Sequence, residues 1–282
     1  ENRASALAHF TVGRIYENQD RPNQAISAYL KVLELQPDLL SLARKCAYLL
    51  ARSGQQEQAR QLLESTLERN RDQAMPLVML SEFLATYHSN QQENKDRALS
   101  LAQDAVEQFP GEALAYEHLT KMYLVGDRTE DASRLLDASL ETPRSDPEFW
   151  LKLGRLALKV WPVRPEVEGF EEELERVNRF YERAADGSVS NLEVSEGVAD
   201  FYSSTRQYGR AETIYQKILE SRTDRLDLRK KLATVYKYQE KNAEYIQTLL
   251  DIIEINPADA QTHRSLAVAY REEGEFVKSV NH

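Results

Sequence analysis

The chain has 282 residues, of which 41% are apolar, with a formal net charge of −10 and one cysteine, Cys46. A single cysteine excludes an internal disulfide and any multi-cysteine metal site, and the acidic balance argues against a nucleic-acid partner. No apolar run is long enough to cross a bilayer and the first residues lack the features of a signal peptide, so we expect no membrane insertion. We expect a soluble chain, cytoplasmic by default, with the cell envelope left open as its compartment.

The composition favours helices over strands. Ten glycines and nine prolines are few for a turn-rich β fold, whereas the residues that favour helices are abundant. The first clear element is the stretch VGRIYENQDRPNQAISAYLKVLELQPD, residues 12–38. In it a small residue, Gly13, is followed in order by Tyr16, Ala25, Tyr29 and Pro37. This pattern predicts two amphipathic helices joined by a polar turn and ended by proline.

The same spacing recurs further along the chain. Residues 198–224 and 232–259 repeat it, and the interval from Tyr202 to Tyr236 equals the interval from Tyr236 to Tyr270. Small residues in the first helix of a pair allow the partner helix to cross closely, and the large residue three positions later fills the space beside it. An ordinary helical bundle with accidental periodicity would not keep this register.

These residues resemble the tetratricopeptide repeat family, whose pattern places Leu-Gly, Tyr, Ala, an aromatic residue, Ala and Pro in this order. The resemblance implies an all-α fold, an α-solenoid in which about 7.5 antiparallel helix pairs form a right-handed superhelix. We expect a single array over residues 1–282, with units 6–39, 40–73, 74–112, 113–146, 147–191, 192–225, 226–259 and a partial unit 260–282. The RNA-reading pentatricopeptide class fits less well, since its residue placement differs and the chain is acidic.

Three units depart from the regular length. The third unit has extra residues near 87–96, and the fifth has an insertion over 160–173, where prolines after Trp161 and Arg164 are expected to break the helix. The last unit stops inside its second helix, so we expect the natural protein to continue beyond His282.

The sequence contains no recognisable catalytic motif, so we predict no enzyme, no catalytic residue, no cofactor and no metal site. We interpret His118 as a surface histidine on the inner face, and Cys46 as a buried, unreactive thiol. No histidine has a second ligand at metal-binding spacing. The five histidines are His9, His88, His118, His263 and His282.

The resemblance implies a concave groove lined by the first helix of each unit. On the positions that face this groove, basic residues outnumber acidic ones, although the whole chain is acidic, and Met75, Val78 and Met79 form an apolar stretch. A relatively basic groove would attract an acidic or carboxylate-ended segment. The predicted groove residues are Arg14, Arg44, Lys45, Tyr48, Arg52, Met75, Met79, Lys121, Lys152, Arg155, Lys159, Lys230, Lys231 and Lys237.

We therefore predict a protein-interaction scaffold that binds a peptide or helix of another protein in this groove. The positions that grip a chaperone's C-terminal carboxylate in some family members carry other residues here, so we predict no such role. Two alternatives stay open. The chain is a structural subunit of a larger assembly, with self-association through the array ends as one form, or it is the non-catalytic arm of a multidomain enzyme or regulator.

Overall fold

The computed structural model describes residues 2–88, 91–143, 146–187 and 191–275, together with 277 and 279. In these residues the chain forms fifteen α-helices and no β-strand, which confirms the predicted all-α solenoid class. The chain divides into two compact units, residues 1–142 and residues 143–282. The single array expected over the whole chain stays a prediction.

The first compact unit contains four helix pairs. In each pair the second helix packs against its own first helix and, in the first three pairs, against the first helix of the next pair. The helices are α1 Asn2–Asn18, α2 Pro22–Leu35, α3 Leu40–Arg52, α4 Gln56–Arg69, α5 Ala74–Tyr87, α6 Gln92–Gln108, α7 Ala113–Val125 and α8 Thr129–Ser139.

The second compact unit contains three pairs and one further helix. The helices are α9 Pro147–Val160, α10 Glu171–Gly187, α11 Leu192–Ser204, α12 Tyr208–Ser221, α13 Leu226–Tyr238, α14 Asn242–Ile255 and α15 Ala260–Glu272. The side chains of Asp146, Asn191 and Asp259 cap the N-termini of α9, α11 and α15 by accepting backbone N–H bonds, which satisfies donors that the helix itself leaves unpaired. The expected second helix of the last unit falls partly on residues 276, 278 and 280–282, outside the described residues.

Small residues allow the two helices of a pair to approach closely. A Cβ on Gly13 of α1 would overlap the ring of Tyr29 on α2, and a Cβ on Gly154 of α9 would lie 2.8 Å from Cε2 of Tyr181 on α10. Both tyrosines are almost fully buried. Sequence spacing predicted the small residue at position 13, and the structure identifies the ring that requires it.

At six places in the described chain, a residue in the left-handed region follows the first helix of a pair. Gly54 has a φ of 80° and Gly274 of 79°. Asp20 occupies the position of Gly54 one repeat earlier, and Glu240 occupies the position of Gly274 one repeat earlier, with φ values of 55° and 59°. Asp127 and Arg206 take the same conformation between α7 and α8 and between α11 and α12.

Between α9 and α10 the chain leaves helical geometry at the predicted insertion. Helix α9 ends at Val160, and α10 begins at Glu171. Trp161 is buried, with its ring centroid 6.4 Å from that of Phe180 on α10, and the Arg176 guanidinium lies 5.3 Å from the centroid of the Trp161 ring. These contacts hold the start of the insertion against α10.

No described helix combines the length and the apolar character that a membrane span requires.

Candidate functional site

All fourteen predicted groove residues lie on first helices of pairs. In the first compact unit Arg14 lies on α1, Arg44, Lys45, Tyr48 and Arg52 on α3, Met75 and Met79 on α5, and Lys121 on α7. In the second unit Lys152, Arg155 and Lys159 lie on α9, and Lys230, Lys231 and Lys237 on α13.

A cavity of about 430 Å³ opens between α3 and α5 and brings four of these residues together. Arg44, Lys45 and Tyr48 line it from α3, and Met79 lines it from α5. Leu63 and Phe83 complete an apolar lining, with Glu82 and Thr86 as polar neighbours. Tyr48 is 52% exposed, so its ring is available to a ligand in this cavity.

The prediction of an open apolar stretch on α5 is wrong in part. Val78 and Met79 are 4% and 3% exposed, because their side chains belong to the apolar interior between neighbouring helices. Met75 is half-buried. Met79 therefore contributes to the lining of the first cavity and does not protrude from the surface.

A second cavity of about 610 Å³ lies beside the first, between α5, α6 and α7. Glu82 and Thr86 of α5 line both cavities, so the two share a wall. Lys121 and His118 line the second cavity from α7. Of the predicted groove residues in the first unit, Arg14, Arg52 and Met75 line neither cavity.

The interpretation of His118 as a surface residue is wrong. Its side chain is 9% exposed, and Nε2 lies 2.8 Å from Oγ of the fully buried Ser81. Burial lowers the pKa of the imidazole; Glu82 opposes this shift, and Lys121 and Arg44 add to it. The prediction of a buried Cys46 is confirmed, and burial raises the pKa of its thiol to about 12.

Lys45 is held in a three-residue group that joins the first two pairs. Glu17 of α1 accepts a hydrogen bond from the Tyr29 hydroxyl at 2.7 Å and forms an ion pair with Lys45 Nζ at 2.6 Å. The bonds from Lys45 and Tyr29 lower the pKa of Glu17. Burial and the Glu17 carboxylate raise the pKa of Tyr29.

The second compact unit contains an equivalent group made of different residues. Asp200 of α11 accepts a hydrogen bond from the Tyr215 hydroxyl at 2.6 Å, and both of its carboxylate oxygens lie 2.7 Å from Lys231 Nζ. Burial and the bond to Asp200 raise the pKa of Tyr215. In both groups the tyrosine comes from a second helix and the lysine from the next first helix, so the carboxylate links consecutive pairs.

Ion pairs neutralise three further predicted cations. Arg44 pairs with Glu82, Lys152 with Glu148 at 2.7 Å, and Lys230 with Asp259. Within the described residues the structure gives no ion pair to the other predicted cations, which are Arg14, Arg52, Lys121, Arg155, Lys159 and Lys237. The basic character expected of the groove therefore depends on these six residues.

The family comparison agrees with the repeat geometry. Residues 6–39 match the family described as Tetratricopeptide repeat. The match spans one helix pair, α1 and α2. No curated protein matches it.

Three solved structures are similar to this chain at low sequence identity. YrrB, described as a TPR protein with an unusual peptide-binding site, is 17% identical, and the match covers 75% of this chain and 97% of YrrB at a TM-score of 0.44. The C-terminal part of a TPR repeat-containing protein from Cytophaga hutchinsonii is 11% identical over 90% of this chain and 97% of that one, at 0.48. MamA from AMB-1 is 18% identical over 59% and 92%, at 0.42. Because the three TM-scores are low, these similarities do not bear on what this chain binds.

The spacing of the repeat explains why the two tyrosine groups are equivalent. Tyr29 lies sixteen residues before Lys45, and Tyr215 lies sixteen residues before Lys231. This tyrosine–lysine spacing was visible in the sequence and was missed. The spacing does not predict the acidic partner, because Glu17 and Asp200 are separated from their tyrosines by different numbers of residues along the sequence.

In the second compact unit we compare the predicted groove residues with one cavity of the described chain. A cavity of about 680 Å³ lies between α12, α13 and α14, and none of the predicted residues lines it. Lys152, Arg155 and Lys159 lie along one exposed face of α9, as their spacing requires.

Proposed function

We propose that this chain is a protein-interaction scaffold that binds a peptide or helix of another protein across α3, α5 and α7, and that it does so without catalysis. The observation that carries the proposal is the pair of adjoining cavities that share Glu82 and Thr86. A site with two adjoining recesses suits an extended or helical segment that inserts successive side chains.

The chemistry of the lining indicates what such a segment would contain. Leu63, Met79 and Phe83 offer the first cavity an apolar surface, and the exposed Tyr48 adds an aromatic wall of the kind that often dominates binding energy. Lys121, exposed beside the second cavity, would attract a carboxylate. We infer a partner segment with apolar anchors and at least one acidic group, and we propose a protein rather than a nucleic acid because the chain has a net charge of −10.

Site-specific photo-crosslinking in the source cell tests this proposal. A photoreactive amino acid replaces Tyr48 on α3, and in a matched control it replaces Gln61, which is exposed on the second helix α4. We expect a discrete protein adduct from position 48 and none from position 61, since position 48 borders the first cavity and position 61 borders neither of the two adjoining cavities.

Equal adducts from the two positions, or adducts from position 61 alone, would place binding elsewhere on the protein. Mass spectrometry of the adduct from position 48 would identify the partner segment and show whether it carries apolar and acidic residues. A segment with neither would contradict the inferred chemistry.

A second candidate function, a structural subunit joined through one end, is favoured by the surface of α1. In the later helix pairs of the first compact unit, the seventh residue of each predicted repeat is buried. These residues are Cys46, Leu80 and Leu119. The equivalent residue of α1, Val12, is 40% exposed, and Ile15 one turn later is 49% exposed. Val12 and Ile15 therefore give α1 an exposed apolar face, and we propose that a helix of another subunit packs against it.

Substitution of Val12 and Ile15 by Lys tests this second function. We expect the double variant to keep its helix content and to leave any higher-order assembly that the wild-type chain forms in size-exclusion chromatography with light scattering. An unchanged mass distribution would exclude this face as the joint.

A further inference from the structure

His118, which lines the second cavity, belongs to a buried polar group that the proposed scaffold role does not explain. Ser81 of α5 is fully buried, and its hydroxyl donates to the backbone carbonyl of Ala98 on α6 at 2.6 Å. His118 Nε2 lies 2.8 Å from the same Oγ. The Met122 sulfur is 3.4 Å from this oxygen, but a thioether is a much weaker acceptor than a carbonyl.

This geometry fixes the protonation of the imidazole. A serine hydroxyl has one hydrogen, and the short bond to Ala98 uses it. The Ser81 oxygen can therefore only accept from His118, so Nε2 carries the ring hydrogen. In a neutral imidazole the other nitrogen, Nδ1, is then an acceptor.

No partner for Nδ1 occurs in the described part of the chain, where the only hydrogen bond of His118 is the one to Ser81. The same residue lines the second cavity. Its ring faces charges from several elements: Glu82 on α5, Lys121 on its own helix and Arg44 on α3. Burial is the largest influence and keeps the imidazole neutral at neutral pH.

The remaining lining defines the ligand that would fit beside Nδ1. Leu99 and Met122 supply apolar surface, and Val125, at 79% exposed, borders the opening. Asp96 and Arg128 already have hydrogen-bond partners, in Gln92 and Asp131. Beside these apolar side chains, a neutral acceptor on His118 favours a group that donates a hydrogen bond without carrying a charge.

We propose that the cavity between α5, α6 and α7 binds a neutral hydrogen-bond donor, a hydroxyl or amide group, at Nδ1 of His118. This inference rests on the proposed function for the source of the donor, a side chain of the bound partner segment. The site itself is testable with small molecules.

Nitrogen NMR of the full chain with ¹⁵N-labelled histidine tests the site directly. The probes are phenol, which donates a hydrogen bond, anisole, which has the same ring and no donor, and benzoate, which is charged. In the free protein we expect the His118 signals of the tautomer with hydrogen on Nε2. We expect phenol to shift the Nδ1 resonance with saturation and anisole and benzoate to leave it unchanged. The opposite tautomer, no response to phenol, or equal responses to phenol and anisole would overturn the proposal.

Two variants separate the role of the two nitrogens. His118→Gln keeps an amide near the position of Nε2 but offers no acceptor at Nδ1, whereas His118→Asn places its amide near Nδ1. We expect phenol affinity, followed by the methyl signal of Met122, to fall at least about tenfold in the glutamine variant and less in the asparagine variant. Unchanged phenol affinity in a folded glutamine variant would contradict the proposal. If that variant does not fold, the wild-type titration decides alone.

The two proposals fail in distinguishable ways. Phenol binding at Nδ1 without a protein adduct at position 48 would leave the donor site standing and remove the scaffold role on α3. An adduct at position 48 without any response of Nδ1 would support the scaffold and remove the donor site.

Discussion

At the residue scale, the two tyrosine–carboxylate–lysine groups contain hydrogen bonds that the sequence pattern did not predict. Sequence spacing identified Tyr29 and Tyr215 as the bulky residues of second helices, and both are buried. Their hydroxyl bonds were not predicted, because the acceptors Glu17 and Asp200 lie on first helices and one turn apart in the repeat. The repeat register predicts which face of a helix Lys45 and Lys231 occupy, but it does not predict which side chains of neighbouring helices lie within bonding distance. Both lysines were therefore interpreted as groove cations.

Tyr215→Phe should lower the free energy of unfolding by about 1–2 kcal/mol, because it removes a hydrogen bond to a charged acceptor while keeping the buried ring. The matched control is Tyr245→Phe, whose half-buried ring makes no described hydrogen bond through its hydroxyl and which should change stability little. Urea unfolding followed by circular dichroism measures both. Equal effects of the two substitutions would show that the bond to Asp200 does not stabilise the fold.

Glu17 should make stability depend on pH in the acidic range. Its bonds to Lys45 and Tyr29 lower its pKa in the folded protein from the ordinary value of 4.5, so its contribution is present above that value and is lost as pH falls through the folded-state pKa. We expect wild type to exceed Glu17→Gln in unfolding free energy at neutral pH, and the difference to shrink as pH falls below 4.5. A difference that stays constant over this range would contradict the assignment.

At the scale of elements, the repeated left-handed turn shows what composition can and cannot reveal. The sequence analysis predicts a polar turn between the helices of a pair, and Gly54 and Gly274 suit such a turn because glycine adopts positive φ readily. Arg206 and Glu240 take the same conformation without any local signal, since neither residue type favours positive φ. Glu240 can be related to Gly274 only because the two positions are one repeat length apart in the sequence.

Gly54→Ala should destabilise the protein by about 1 kcal/mol, because alanine is strained at positive φ. Gly209→Ala is the matched control: neither added Cβ would meet an atom within 4 Å, and Gly209 lies in α12 without a positive φ. We expect that control to be neutral or slightly stabilising. Thermal unfolding of the two variants compares them, and a Gly54 variant as stable as wild type would refute the role of backbone conformation.

At the scale of the whole molecule, the helix class and the repeat were accessible from the sequence, because small and aromatic residues recur in a fixed register. The candidate site was only partly accessible. The register placed Arg44, Lys45, Tyr48 and Met79 on first helices, and the structure brings them to one cavity. It did not reveal that Met79 is buried or that His118 bonds to Ser81, which lies on a different helix pair.

Lys121→Glu should weaken binding of the partner segment by about tenfold at low salt and less at high salt, because it reverses an exposed charge beside the second cavity. Lys31→Glu is the matched control, since Lys31 is exposed on the second helix α2 and away from both cavities. Calorimetric titration with the segment identified by crosslinking measures the two affinities. Equal losses would show that overall charge, and not this position, governs binding.

The most direct test of the scaffold role is hydrogen–deuterium exchange of the full chain with and without that partner segment. We expect slower exchange on α3, α5 and α7, with α2, which lines neither cavity, unchanged. Slower exchange confined to α2, or no change on α3, α5 and α7, would contradict the scaffold role.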